Sequence, residues 1–180
     1  MNIPNLITLG RLLAVPLIVY LISQQLMTLA FWTFFGAGIS DAVDGYLAKR
    51  FDAVTELGTY LDPIADKVLL VAIYVTLGLA GHLPTWLVIL AVSRDLLIVG
   101  GALLSYTMDL SLNIRPLIIS KINTCLQITL AALILAELGD VLSGGPVIEP
   151  LIVAVGVTTV ASGASYLITW LRGQSVGEAG

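Results

Sequence analysis

Four aspartates give this sequence its clearest chemical signal. Asp41 and Asp44 are three residues apart, and Asp62 and Asp66 are four apart. On a helix, either spacing puts both carboxylates on one face. Only the short connection Lys49–Thr55 separates the two pairs, so their helices are expected to be antiparallel neighbours with the pairs converging at one depth. Four carboxylates packed together cannot all stay ionised without counter-charge. Lys67 and Arg50 would offset part of it. Two divalent ions such as Mg²⁺ would offset all of it, because hard cations take carboxylate oxygens together with the phosphate oxygens of a substrate. Gly45, Ala48 and Gly58 lie among the acids. Such small side chains serve either plain helix packing or the close approach of a ligand to backbone.

The elements that must hold these acids are apolar. Of 180 residues, 58% are hydrophobic and 11% charged, against about 25% charged in an average soluble domain. That composition excludes a disordered chain. The net charge of −4 and the lack of any polybasic run exclude a nucleic-acid partner. Cys125 is the single cysteine, so no internal disulfide forms, and it reads as a small core residue. What remains is an all-α integral membrane bundle, one domain over residues 1–180.

A spanning helix needs about 20 mostly apolar residues, and six stretches qualify: Ile7–Gln24, Met27–Ala48, Glu56–Ala80, Thr85–Thr107, Pro116–Ala136 and Val147–Leu171. Residues 4–10 read as a short interfacial helix leading into the first span, with Pro4 in its first turn. No basic n-region or cleavage site marks a signal peptide. Lys49, Arg50, Arg115 and Arg172 fall in connections or tails on one side, while the opposite connections hold no Lys or Arg. The positive-inside rule then places both termini, and the acidic cluster beside them, in the cytoplasm. A bacterial inner membrane is the expected location.

Other charges lie inside the predicted spans, namely Arg11, Arg94, Asp95 and Lys121 beside the acids and Lys67. Each costs about 2.5–3.5 kcal/mol at the centre of a membrane helix, less toward its ends, so each must be used, paired or hydrated. Two readings stand open for Arg94: an ion pair with Asp95, or a contact with a ligand. Lys121 is close enough to its helix end to snorkel to the interface. Arg115 is accounted for by topology alone, or by a ligand. Asn123 and Gln127, four apart, are expected to bridge helices through their amides. The run Ala161-Ser162-Gly163-Ala164-Ser165 and the pair Gly100-Gly101 suggest close helix packing or a dimer contact.

The segment Asp41-x2-Asp44-Gly45-x2-Ala48-Lys49-x8-Gly58-x3-Asp62-x3-Asp66 resembles the signature of the CDP-alcohol phosphatidyltransferases, D-x2-D-G-x2-A-R-x8-G-x3-D-x3-D. Seven of its eight fixed positions match. The departure is Lys49 in place of arginine, which keeps the charge but loses the bidentate fork. The opening Asn2-Ile3-Pro4-Asn5-Leu6-Ile7-Thr8 with Arg11 is also similar to members of this family. Ser93-Arg94-Asp95-Leu96-Leu97 and Ile119-Ser120-Lys121-Ile122-Asn123-Thr124-x2-Gln127 look most like its cardiolipin synthases. Its phosphatidylglycerophosphate synthases are the alternative.

The resemblance implies transfer of a phosphatidyl group from CDP-diacylglycerol to an alcohol, phosphatidylglycerol in the preferred case and glycerol-3-phosphate in the other. It implies two divalent metal ions (Mg²⁺ or Mn²⁺) on Asp41, Asp44, Asp62 and Asp66, with Asp66 doubling as general base. Gly45, Ala48, Lys49, Gly58 and Arg11 would hold the donor. Arg94, Lys121 and Arg115 would hold the acceptor. The family likeness also implies a homodimer.

Overall fold

The structure is a computed structural model describing residues 3–50, 56–107, 118–142 and 145–177, with side chains described for residues 10–40, 65–101, 118–142 and 145–168. All its regular elements are helices: α1 (Ile3–Ser23), α2 (Met27–Arg50), α3 (Glu56–Leu79), α4 (Thr85–Thr107), α5 (Ile118–Leu138) and α6 (Gly145–Gly177). They correspond to the six apolar stretches. The expected interfacial helix at residues 4–10 is not a separate element, since it forms the first turns of α1 without a break. Pro16 also lies within α1, and its ring is on the exposed side.

The helices close a ring in the order α1, α3, α4, α6, α5, α2, and α3 also touches α5 across it. The expected convergence of the two acidic pairs concerns residues 41–66, of which the side chains of 41–64 lie outside the described ones. Among the described residues α2 and α3 are not packing neighbours, because α1 stands between them. The ring is filled by Ile18 and Ile22 of α1, Phe31 and Phe34 of α2, Ile73, Tyr74 and Leu77 of α3, Leu87 of α4, Leu130 and Ile134 of α5, and Val155 of α6. The Tyr74 hydroxyl, buried among them, donates to the backbone oxygen of Gln127 at 3.1 Å. That bond satisfies a polar group which burial would otherwise leave costly.

Three helices end in the same way at one end of the bundle. In each, a residue with left-handed backbone closes the helix: Gln25 (φ 59°) after α1, Gly81 (φ 80°) after α3 and Asp140 (φ 53°) after α5. The next amide then reaches back to a carbonyl of the last turn, Leu26 to Leu21 at 2.9 Å, His82 to Leu77 at 2.9 Å and Val141 to Ala136 at 2.8 Å. This is the Schellman closure, which satisfies carbonyls that a helix end leaves bare. It turns the chain within a few residues, so α1–α2, α3–α4 and α5–α6 are tight antiparallel pairs. The Thr28 hydroxyl donates to the Gly139 carbonyl at 2.8 Å, tying the start of α2 to the end of α5. A Cβ on Gly139 would lie 2.8 Å from the Thr28 backbone nitrogen, so the contact needs glycine.

Asn123 joins α5 to α6, as its position suggested. Its Oδ1 accepts from Thr158 at 2.8 Å and Thr159 at 2.9 Å. Cys125, expected in the core, is instead exposed on α5. The residue sits between the inward-facing Asn123 and Gln127, and the helical turn carries it to the outer face.

The left-handed closures generate a stability prediction. A non-glycine residue pays a steric penalty of about 1 kcal/mol there. Gly81→Ala is expected to lower stability by about 1 kcal/mol, and Asp140→Gly to raise it by a similar amount. Thermal unfolding of the purified variants in detergent measures both.

Candidate active site

The charged residues that composition could not excuse are gathered toward the end of the bundle opposite the three closures. Arg11 of α1 is buried. Its Nη1 donates to Oδ1 of Asp66 on α3 at 2.5 Å. The Asp66 side chain keeps 49% of its surface exposed, against 3% for Arg11. The pair therefore joins a cation locked in the bundle to a carboxylate at its edge. Beside it, Gly10, Arg11 and Ala14 of α1 and Thr33, Ala37 and Ser40 of α2 line a cavity of about 300 Å³. Small side chains on both walls keep it open. The sequence offered a ligand contact for Arg11; the structure adds a bond to the acid that the family signature singles out.

A second charged cluster lies on α3, α4, α5 and α6. Lys67 Nζ and Arg94 Nη1 both donate to Oδ1 of Asp95, each at 2.6 Å. Arg94 also donates through Nη2 to Ser120 of α5, and through Nη2 and Nε to Ser162 of α6 at 2.7 and 3.2 Å. Gly163 lies beside the arginine, where a Cβ would meet Cγ of Arg94 at an ordinary contact distance of 3.8 Å. The run of small residues on α6 supplies a hydrogen-bond acceptor for the arginine in Ser162. Of the two readings open for Arg94, the ion pair with Asp95 is present. Lys67, expected to offset the acids of α2 and α3, instead reaches across to α4.

Lys121 is exposed near the start of α5 and joins neither cluster. Asp41, Asp44, Gly45, Ala48 and Lys49 lie within the continuous helix α2, and Gly58 and Asp62 within α3. The spacings on which the acidic pairs were argued are therefore helical. The side chains of these residues, and Arg115, lie outside the described ones. Among the described residues no three potential ligands form a metal cluster.

Sequence reasoning missed the joint role of Lys67, Ser120 and Ser162. One signal was available. An intramembrane Arg-Asp step on α4 needs partners on neighbouring helices, and short hydroxyl residues on α5 and α6 are the groups that let a guanidinium approach.

These observations define a class: an all-helical bundle that holds two charged clusters, one on the half-exposed Asp66 and one on the buried Asp95. The chain belongs to the CDP-alcohol phosphatidyltransferase family, whose profile matches residues 1–170. A Schizosaccharomyces pombe cardiolipin synthase (CMP-forming) / mitochondrial hydrolase fusion protein is 36% identical, over 98% of this chain and 32% of its own length. A chloroplastic CDP-diacylglycerol–glycerol-3-phosphate 3-phosphatidyltransferase of Oryza sativa subsp. japonica is 35% identical, over 94% of this chain and 57% of its own. A probable cardiolipin synthase (CMP-forming) of Drosophila melanogaster is 32% identical, over 93% and 57% respectively. The chain thus spans between a third and three-fifths of the length of these relatives.

The Arg94 cluster generates a prediction of its own. Ser162→Ala removes the acceptor of two N–H donors from a buried cation and is expected to cost about 1.5–3 kcal/mol. Thr129→Ala, on the exposed face of α5, is expected to stay within about 0.5 kcal/mol. Thermal unfolding in detergent separates the two.

Proposed function

We propose that this chain is a membrane-embedded phosphatidyltransferase that moves a phosphatidyl group from CDP-diacylglycerol to phosphatidylglycerol, forming cardiolipin and releasing CMP. The observation that carries this reading is the placement of Asp66. The last acid of the family signature stands half-exposed at the edge of the bundle, with a buried arginine on its carboxylate. A group so placed can meet a lipid head group from outside while its counter-charge stays fixed within.

The outer surface supports embedding in a bilayer. Leu13, Leu17 and Tyr20 on α1, Leu29, Trp32 and Ile39 on α2, and Val153, Val157 and Val160 on α6 are all exposed. These helices are apolar outside as well as inside, the pattern of a bundle solvated by lipid. Residues Ile118–Leu138 and Gly145–Ile168 are each long and apolar enough to cross a membrane. The reading assigns six spans, both termini and the acidic site to the cytoplasmic side, and a bacterial inner membrane as the location. The cation-free turns at the end opposite the charged clusters agree with that orientation. Family likeness supports a homodimer.

Asp41, Asp44, Asp62 and Asp66 would hold two divalent ions. Their all-carboxylate oxygen set is what Mg²⁺ or Mn²⁺ takes, and the half-exposed Asp66 fits a ligand shared with substrate. Bound there, the ions would neutralise charge on the donor diphosphate. Asp66 would accept the proton of the acceptor hydroxyl as that oxygen bonds to the lipid-linked phosphorus. The bond from that phosphorus to the CMP oxygen breaks, and CMP leaves with the electron pair. Arg11, held at Asp66 and lining the α1–α2 cavity, would face the donor phosphates. Gly45, Ala48, Lys49 and Gly58 would receive the cytidine diphosphate. Lys121 and Arg115 stay assigned to the acceptor side, and Arg94, fixed on Asp95 and two serines, would serve that side by holding its cluster in place.

A second reading replaces phosphatidylglycerol with glycerol-3-phosphate. It is favoured by the likeness to the rice enzyme, whose name carries that acceptor. The test is a product assay with CDP-diacylglycerol, Mg²⁺ and either acceptor alone. Cardiolipin and CMP from phosphatidylglycerol are expected. Phosphatidylglycerophosphate from glycerol-3-phosphate alone would transfer the assignment to the second reading. In the same assay Asp66→Asn is expected to lower the rate at least about 100-fold, the usual loss with a general base. A rate near wild type would remove Asp66 from that role.

A further inference from the structure

Lys67 belongs to the Arg94 cluster but differs from the other two charges in it. Its side chain is 27% exposed, against 6% for Asp95 and 3% for Arg94. The cluster holds two cations against one carboxylate, and both share the same oxygen of it. The described partners that complete the Arg94 guanidinium, Ser120 and Ser162, are neutral. Among the described residues this cluster therefore carries one positive charge in excess, inside a low-dielectric bundle where such an excess attracts an anion strongly. Arg94 is held on three sides and cannot turn outward without abandoning its serines. Lys67 is the member with open surface and a flexible stem. It also directly follows Asp66 on α3, so its side chain leaves the helix about 100° from the half-exposed carboxylate.

We propose that Lys67 is the cation that binds a phosphate oxygen of substrate in this site, and that Asp95 is the positioning residue that aims it. This rests on the phosphatidyltransferase reading above. Sharing Oδ1 with Arg94 weakens the hold of Asp95 on Lys67, so the ammonium keeps attraction to spare for a third partner. Arg94 in turn ties Asp95 to the serines of α5 and α6, so the carboxylate cannot follow the lysine. The phosphate belongs either to the donor diphosphate or to the acceptor, and the two sources are separable.

The experiment measures kcat and KM of the full chain for CDP-diacylglycerol and for each acceptor. Lys67→Met is expected to raise the KM of one phosphate-bearing substrate by about tenfold or more, the size of a lost charge-assisted contact, and to leave the other within about twofold. Lys67→Arg should recover most of the loss. Asp95→Asn should raise the same KM as Lys67→Met. A rise for CDP-diacylglycerol assigns the donor diphosphate, and a rise for the acceptor assigns the acceptor phosphate. A fall in kcat with both KM values unchanged would overturn the proposal, since a purely structural cluster predicts that result. So would Asp95→Asn and Lys67→Met acting on different substrates.

A companion measurement on the wild-type protein needs no variant to fold. Amine-reactive labelling of Lys67, read by peptide mass, should slow when CDP-diacylglycerol, phosphatidylglycerol or glycerol-3-phosphate is added with Mg²⁺. Labelling unchanged by all three would refute the contact. Wild-type protein that forms no product with either acceptor, yet shows protected Lys67, would refute the transferase reading and leave the lysine site standing.

Discussion

The carboxylate of Asp95 is the interaction on which the arrangement of this bundle depends. Buried on α4, it takes a lysine from α3 and an arginine from its own helix on one oxygen. The arginine then reaches hydroxyls on α5 and α6. Four helices are registered against one another by a single charged centre. Apolar surfaces cannot supply such register, because lipid tails are as apolar as leucine and give helices little reason to prefer one depth over another. A buried charge has no such freedom. Removing either partner would strand the other at a cost of about 3–5 kcal/mol, so α3 to α6 are held at the depth where all the donors are satisfied. The Arg11–Asp66 pair extends the same logic to α1, the helix that packs most closely on α3.

With the depth so fixed, the site takes its character from asymmetric exposure. In each cluster one member is deep and another is near the surface: Arg11 against Asp66, and Arg94 against Lys67. On the proposed reading, the deep members fix geometry and the shallow members meet the ligand. This division suits chemistry on a lipid, whose head group arrives along the membrane plane and must find charges already in place. Pre-set charge is also what phosphoryl chemistry chiefly asks of a protein. The proposed aiming of Lys67 by Asp95 would belong to the same division, because a flexible ammonium becomes selective only when its resting place is defined.

Much of this was legible in the sequence, and the parts that were not share a cause. Six apolar stretches gave six helices with ends displaced by a few residues. Asn123 was expected to bridge helices and does so through Thr158 and Thr159. The helical phase of the acidic pairs followed from their spacing, and α2 and α3 run unbroken through them. What the sequence carried least was adjacency in space. A short connection between α2 and α3 suggested direct neighbours, yet α1 fills the gap between their described parts. Lys67 was matched to acids nearby in sequence, yet its partner lies on α4. Periodicity reports which face of a helix is buried, not which helix buries it. Serines read the same way: Ser120 and Ser162 carry no mark that separates a guanidinium partner from a packing residue. Cys125 was misjudged because small size was taken for burial, while its phase between Asn123 and Gln127 sends it outward.

The ring order has a consequence for how the chain comes to be assembled. Neighbours in the ring are often distant in sequence: α1 with α3, α2 with α5, and α4 with α6. Helices that leave the biosynthetic machinery one after another cannot close such a ring hairpin by hairpin. Until α5 and α6 pack, Arg94 has no hydroxyls from them. A partly assembled chain therefore carries a guanidinium whose partners on α5 and α6 have yet to pack against it.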